Sequence, residues 1–363
     1  MRSAHRDASP AGLWTLALRR LRADRVGMAA LAVVALFLGL LVLSGMGLVA
    51  AGWEREVAVS YAPPSLLGAD APAPGNVGGG EGEAGSAAAT AAATATATAA
   101  SAGATAPPNG FDPLGADIAA ILGGAEGAAI GAAAPARLAS LPLGADKWGH
   151  DVLLKTIKGG QTSIVVGLAA ALLAVALGTV GGALSGYFGG ALDDLFNWFY
   201  NVFTAIPAIL MILAVAAVLQ HKGVATIVLI LGLTGWTGPY RLVRAEYMKH
   251  RAREYVLAAD AIGASHWRRM FAHIFPNVSH VALVQLSILA VGFIKAEVIL
   301  SFLGFGVPVG VVSWGSMLNE AQNELILGKW WQLSAAASAM ALLVTALSLL
   351  SDALRDALDP KLK

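Results

Sequence analysis

The chain has 363 residues, 57% of them hydrophobic and only 13% charged, with a formal net charge of +1. That charged fraction is about half the ~25% usual in a soluble domain, so water is not its principal solvent. There is no cysteine, which excludes disulfides and thiolate chemistry, and the basic residues cluster beside apolar runs, where membrane topology accounts for them without a nucleic-acid partner.

A spanning helix needs about 20 apolar residues, because a ~30 Å hydrocarbon core is crossed at about 1.5 Å per residue. Six runs meet or approach that length: 26–51, 163–187, 198–219, 224–240, 281–303 and 333–350. The expected fold is therefore an all-α membrane protein with six transmembrane helices. Residues 1–25 carry six arginines against two aspartates, which places the N-terminus in the cytoplasm, since cytoplasmic flanks are enriched in Lys and Arg. The first helix, 26–51, is too long for a signal-peptide core of about 7–15 residues and reads as an uncleaved anchor.

Residues 52–160 follow as an extracytoplasmic segment, and 51–150 hold three basic against nine acidic residues. Within it, 75–108 is almost wholly Gly, Ala, Thr and Ser, with no large apolar residue after Val77. Such a stretch buries too little to offset its ordering entropy and reads as a flexible linker. A short amphipathic helix is expected near 118–122. The other five helices make a core over 161–351, and 352–363 form a cytoplasmic C-terminus. Glycines at 178, 181, 182, 186, 189 and 190 allow close helix packing. The loop 189–195 disagrees with the charge rule: it should be internal, yet it holds Asp193 and Asp194 and no cation. The fourth run is short, and Gly232, Gly235, Gly238 and Pro239 mark an irregular end.

Between the fourth and fifth runs lies a polar island, about 241–277. Across 241–276 it holds seven Lys and Arg against three Asp and Glu, with three of the seven histidines, and so is expected to face the cytoplasm. Residues 253–262 are rich in helix formers, Gly263 ends or bends the run, and Pro276 separates it from the next helix. A short helix with small residues at Ala258, Ala259, Gly263 and Ala264 and a rim of Arg253, Glu254, Asp260, Arg268 and Arg269 can be approached closely by another protein.

Four segments taken in order resemble one family, the inner-membrane permease subunits of binding-protein-dependent ABC importers in the dipeptide/oligopeptide/nickel branch. The first runs from Pro142, Leu143 and Gly144 through Asp146, Gly149, His150 and Asp151. The second is Gly186, Tyr187, Phe188, Gly189 and Gly190, then Asp193 and Ala205, Ile206, Pro207. The third is the island, similar to the family's EAA loop. The fourth is Leu300 to Gly304, then Ser313, Trp314, Gly315, and Asp352 to Pro360. Leu257 stands where the loop's name calls for Glu, and Asp260 where the branch often has a basic residue. The resemblance implies a type I ABC importer permease-like fold with a cytoplasmic coupling helix, in a bacterial inner membrane. It also implies a second homologous permease, two cytoplasmic ABC ATPase subunits and an extracytoplasmic solute-binding protein as partners. Glu254, Tyr255, Ala258, Ala259, Gly263, Ala264, Ser265 and Pro276 would meet the ATPase. Peptides lead as cargo, with nickel, opines and sugars open.

No catalytic residue, cofactor or metal site is expected. The one Gly-Lys pair, Gly328 and Lys329, lacks the glycine and the Ser or Thr of a phosphate-binding loop. Gly182, Ser185 and Gly186 miss the G-x-S-x-G spacing. His150 beside Asp146 and Asp151 reads as a solvated outer turn, His221 and Lys222 as another, and Trp314, Trp330 and Trp331 suit an outer interfacial belt. Lys295 and Glu297 lie inside the fifth run, where an ionisable group costs about 2.5–3.5 kcal/mol on insertion. Glu297 could line the pathway or a contact between subunits, or make a structural polar contact, and Lys295 could snorkel. If these two were a coupling site, the chain would be an ion-coupled secondary transporter acting without an ATPase. Such folds often carry internal repeats and paired broken helices, which are not visible here. A membrane scaffold is a third reading.

Overall fold

A computed structural model describes residues 20–65, 137–219, 223–308 and 310–358. The linker at 75–108, the helix expected near 118–122, the turn at His221 and Lys222, and most of the terminal arginines and lysines lie outside these residues. Ten α-helices make up the described chain: α1 (Arg25–Gly45), α2 (Val152–Phe188), α3 (Gly190–Ala205), α4 (Ala208–Leu219), α5 (Val224–Thr234), α6 (Thr237–Arg251), α7 (Glu254–Ala261), α8 (Phe275–Phe302), α9 (Trp314–Ile326) and α10 (Trp331–Leu358). A wider, π-type stretch at Arg268–Ile274 leads directly into α8.

Four helices are long and apolar enough to cross a membrane: α1, α2, α10 and the continuous rod Arg268–Phe302. The third expected span is not straight. α3 and α4 meet at 90° across Ile206 and Pro207. Proline has no N–H to give and forces the preceding residue out of the helical region, and Ile206 is extended at φ −102°, ψ 133°. The fourth apolar helix, α5, has 11 residues, and the chain turns at Gly235 and Trp236 before α6. The apolar spans of this all-α chain thus number four, or five with the bent pair, beside the short α5.

α2 is the spine. Its 37 residues make a rod of about 55 Å, well beyond a ~30 Å hydrocarbon core. Asp151 caps its start by accepting from the Leu153 N–H at 2.8 Å, and Gly189, at φ +70°, ends it. α5, α6, α8, α9 and α10 all pack on it. Gly178, Gly182 and Gly186 fall four apart on one face, where added Cβ atoms would lie 2.6 Å from the Trp236 carbonyl oxygen, 2.7 Å from that of Tyr240 and 2.5 Å from that of Arg244. Only glycine lets α6 lie that close. α1 closes on α10 through Gly27, whose absent Cβ would lie 2.8 Å from the Ala353 methyl.

Candidate functional site

The island folds as a short helix held against the ends of longer ones. α6 gives way at Ala252, and α7 begins after Arg253, which is extended. Period 3.6 then sorts the residues. Val256 and Ala259, three apart, turn inward and are buried with Tyr187, Val243, Tyr247, Met270 and Ile274. Glu254, Tyr255, Leu257, Ala258, Asp260 and Ala261 stay exposed. The expected Ala258–Ala259 patch is therefore corrected: neighbours in sequence sit ~100° apart on a helix, so Ala258 faces out while Ala259 packs inward.

α7 ends through Gly263 at φ +83°, whose N–H donates to the Asp260 carbonyl at 2.9 Å, while the Ala264 N–H donates to that of Ala259 at 3.0 Å. Glycine suits this left-handed stop. A Cβ at Gly263 would have nothing within 4 Å, so the turn itself is open to a neighbour. Ser265 starts the next helix, its Oγ accepting from the Arg268 N–H at 3.3 Å. Pro276, expected to separate the island from the fifth span, lies instead inside the rod at the start of α8. The widened turn before it accommodates a residue that has no N–H, so the break falls at Gly263–Ser265.

Polar contacts hold this unit rigid. Arg269 Nη1 pairs with Asp260 Oδ1 at 2.6 Å, which gives the unusual acid at 260 a partner. His266 Nδ1 lies 3.1 Å from the Tyr187 hydroxyl, and Tyr247 donates its hydroxyl to the Met270 carbonyl at 3.2 Å. The Tyr255 hydroxyl lies 2.8 Å from His250 Nδ1 and accepts from Asn277 Nδ2 at 3.5 Å. Small residues are not the main outward feature. Leu257 is 56% exposed, Ile262 85%, Trp267 60% and Phe271 44%, and the Trp267 and Phe271 rings stack with centroids 5.6 Å apart. These anchors are legible as bulky apolar residues in a polar segment.

The anomalous acids at 193–194 are explained in part nearby. Arg244 of α6 forks onto Asp193 with both bonds at 2.6 Å, and Ser185 also donates to that carboxylate. The cation missing from the loop is supplied by another helix.

Lys295 and Glu297 do not form one site. Lys295 is exposed, whereas Glu297 is fully enclosed, accepting from the Ser301 hydroxyl at 2.6 Å near Ser163 and Ser313. Of the readings left open for Glu297, its burial and its bond to Ser301 fit the structural polar contact.

Residues 178–363, just over half of the chain, match the model of the binding-protein-dependent transport system inner membrane component. The chain belongs to that family. It is 36% identical over 230 residues to the dipeptide transport system permease protein DppC of Bacillus subtilis (strain 168), covering 62% of this chain and 72% of that protein. It is also 36% identical over 220 residues to the oligopeptide transport system permease protein OppC of the same organism, covering 61% and 72%. The peptidoglycan transport system permease protein YejE of Agrobacterium fabrum (strain C58 / ATCC 33970) is 35% identical over 219 residues, covering 60% and 57%. The protein is thus an inner-membrane transport component and not an enzyme.

In this permease a second polar centre lies at the far end of α2, one that sequence reading missed. Lys155 is buried, and its Nζ donates to Asp146 at 2.7 Å, to Glu320 of α9 at 2.6 Å and to Gln332 of α10 at 3.5 Å. Asp146 is itself fully buried and accepts from the Trp148 and His150 N–H groups at 2.8 and 2.9 Å, with His150 Nδ1 at 3.0 Å. Burial resists its ionisation, but the Lys155 charge and these donors outweigh that and hold its carboxyl below the usual carboxylate range. The solvated turn expected there is instead a built one. Glu324 of α9 is 1% exposed, and burial pushes it up to about 6. Trp314 and Trp331, expected in an interfacial belt, are also buried, donating to the carbonyls of Thr156 and Ala145 at 2.9 and 2.7 Å; Trp330 is 45% exposed.

Proposed function

We propose that this chain is one of two homologous permeases forming the solute path of an ATP-driven importer, and that α7 with its flanking turn seats in a groove of a cytoplasmic ABC ATPase. The observation that carries this is the rigid presentation of α7. It is tied to α6 through Tyr255 and His250 and to the following helix through Asp260 and Arg269. That helix is bonded to α2 and α6 through His266 with Tyr187 and the Met270 carbonyl with Tyr247, while Leu257, Ile262, Trp267 and Phe271 stand out in water. Large exposed apolar side chains in a pinned segment mark a surface that another protein covers. Glu254, Tyr255, Ala258, Gly263, Ala264, Ser265 and Pro276 lie on or beside that surface, whereas Ala259 supports it from behind.

Six spans follow if the bent α3–α4 pair counts as one and α5 with the start of α6 as another. Both termini and 241–277 would then be cytoplasmic, 52–160 extracytoplasmic, and 161–351 the permease core. A solute-binding protein would deliver cargo from outside and two ATPases would dock inside. The relatives' names support peptides as cargo. Lys295, exposed on α8, is available to lipid or to the second permease.

The test is affinity co-purification from membranes in mild detergent, comparing wild type with the Leu257→Asp, Ile262→Asp double variant. Both residues are exposed, so permease yield should hold while ATPase recovery collapses. Equal ATPase recovery from both proteins would sink the assignment of α7 as the docking element.

A further inference from the structure

Three elements meet at one side chain. Arg269 lies in the stretch Arg268–Ile274, which runs on into α8 as a single rod ending at Phe302. Its Nη1 pairs with Asp260 Oδ1 of α7 at 2.6 Å, and its Nη2 lies 2.9 Å from His266 Nδ1. A guanidinium only donates, so that ring nitrogen accepts and the imidazole carries its hydrogen on Nε2. The Tyr187 hydroxyl, 3.1 Å away in the last turn of α2, therefore donates to the same Nδ1. The result is one polar chain, Asp260–Arg269–His266–Tyr187, running from α7 through the head of the rod to the tip of α2.

Local sequence brings these groups together. His266 and Arg269 are three apart in a helical stretch and share a face. The left-handed turn at Gly263, φ +83°, returns the chain so that α7 packs on the stretch that holds Arg269.

Stability alone is a poor reason for this arginine. The Asp260 side chain is 57% exposed, so water screens the ion pair. Arg269 Nε is enclosed and has no hydrogen-bond partner among the described residues, and an unmet donor works against folding. A group that adds little stability yet links α7 to two long helices suits transmission. α2 and α8 pack along one another, so a side chain linked to both fixes how they move with α7.

We propose that Arg269 is a positioning residue for transport: it locks α7 to the ends of α2 and of the α8 rod, so that both helices move when α7 is pushed. This rests on α7 being the element that docks the ATPase.

The complete transporter, the permease with its partner permease, ATPases and binding protein, is reconstituted in vesicles. Dipeptide uptake and ATP hydrolysis are measured in the same preparation for wild type, Arg269→Met, Tyr187→Phe, the double variant and Arg269→Lys. Arg269→Met removes both bonds and should lower uptake per ATP hydrolysed about tenfold, the scale of one charge-assisted hydrogen bond, with ATPase co-purification within about twofold of wild type. Tyr187→Phe removes one oxygen and should lower the same ratio. The double variant should fall no further than Arg269→Met, because both changes cut one chain. Arg269→Lys keeps a cation for Asp260 and should recover part of the ratio.

An unchanged ratio in Arg269→Met overturns the proposal, as do losses that multiply in the double variant. Uptake and hydrolysis falling together with ATPase recovery would show a merely structural role and overturn it too. Where Arg269→Met fails to assemble, Tyr187→Phe decides, and a wild-type ratio in that variant overturns the proposal. If wild type takes up no dipeptide, the peptide reading fails, and stimulation of ATP hydrolysis by the binding protein replaces uptake as the readout, with the same fall expected. Failure of the docking reading looks different: the Leu257→Asp, Ile262→Asp double variant then keeps both its ATPase and its coupled uptake.

Discussion

The two ends of α2 solve opposite problems with similar material. At the Lys155 end, four polar side chains from α2, α9, α10 and the turn before α2 bond inward and leave little for another molecule to hold. At the Tyr187 end, the polar contacts pin α7 and the helical stretch after it, and the large apolar side chains face out. Charge turned inward ties helices together; apolar surface turned outward stays uncovered. The contrast teaches that the position of the charges relative to the packing, more than their number, separates a structural cluster from a docking surface.

The largest effect should come from Lys155→Met. It removes the cation from a fully buried carboxylate, which costs about 3–5 kcal/mol when one partner of a buried pair is lost. Thermal unfolding in detergent should show a large loss, and an unchanged midpoint would mean that the cluster is not structural. Glu324→Gln should act the other way and more weakly. The raised pKa means that the folded protein resists charging this acid. The penalty is absent below about 4.5, grows as pH rises, and is complete above about 6, reaching roughly 1–2 kcal/mol. The Gln variant should therefore melt higher than wild type at pH 8 and alike at pH 4; a constant difference across pH would break this account. The smallest effect belongs to Asp260→Ala at the other end. Its pair with Arg269 is half open to water, so a stability change of about 0–1 kcal/mol is expected. A loss as large as that of Lys155→Met would erase the distinction between the two ends.

The helical class and the long spans were legible because a nearly charge-free apolar run of about 20 residues suits a membrane helix and little else, and α1, α2, α8 and α10 lie along four of those runs. The island was legible from its charge and its Gly263 stop. Ala259 is misread whenever adjacency in sequence is equated with adjacency on a face. The bend at Pro207 falls inside a run whose composition is uniformly apolar, and hydropathy does not report direction. α9 was missed as a helix, although Ser313 and Ser316 form a capping box that marks its start. Lys155 could not be read at all: two of its partners lie 165 and 177 residues away, and nothing local distinguishes it from a surface lysine.

One unbroken rod joins both regions. α2 carries Lys155 in its first turn and Tyr187 in its last, with no proline between them. A lever about 55 Å long moves each tip by about 0.5 Å for every degree it pivots about its middle. If α7 docks as proposed, a push on it has a direct mechanical line to the Lys155 end, and tilting this single strut transmits the push without any relay of side-chain rearrangements.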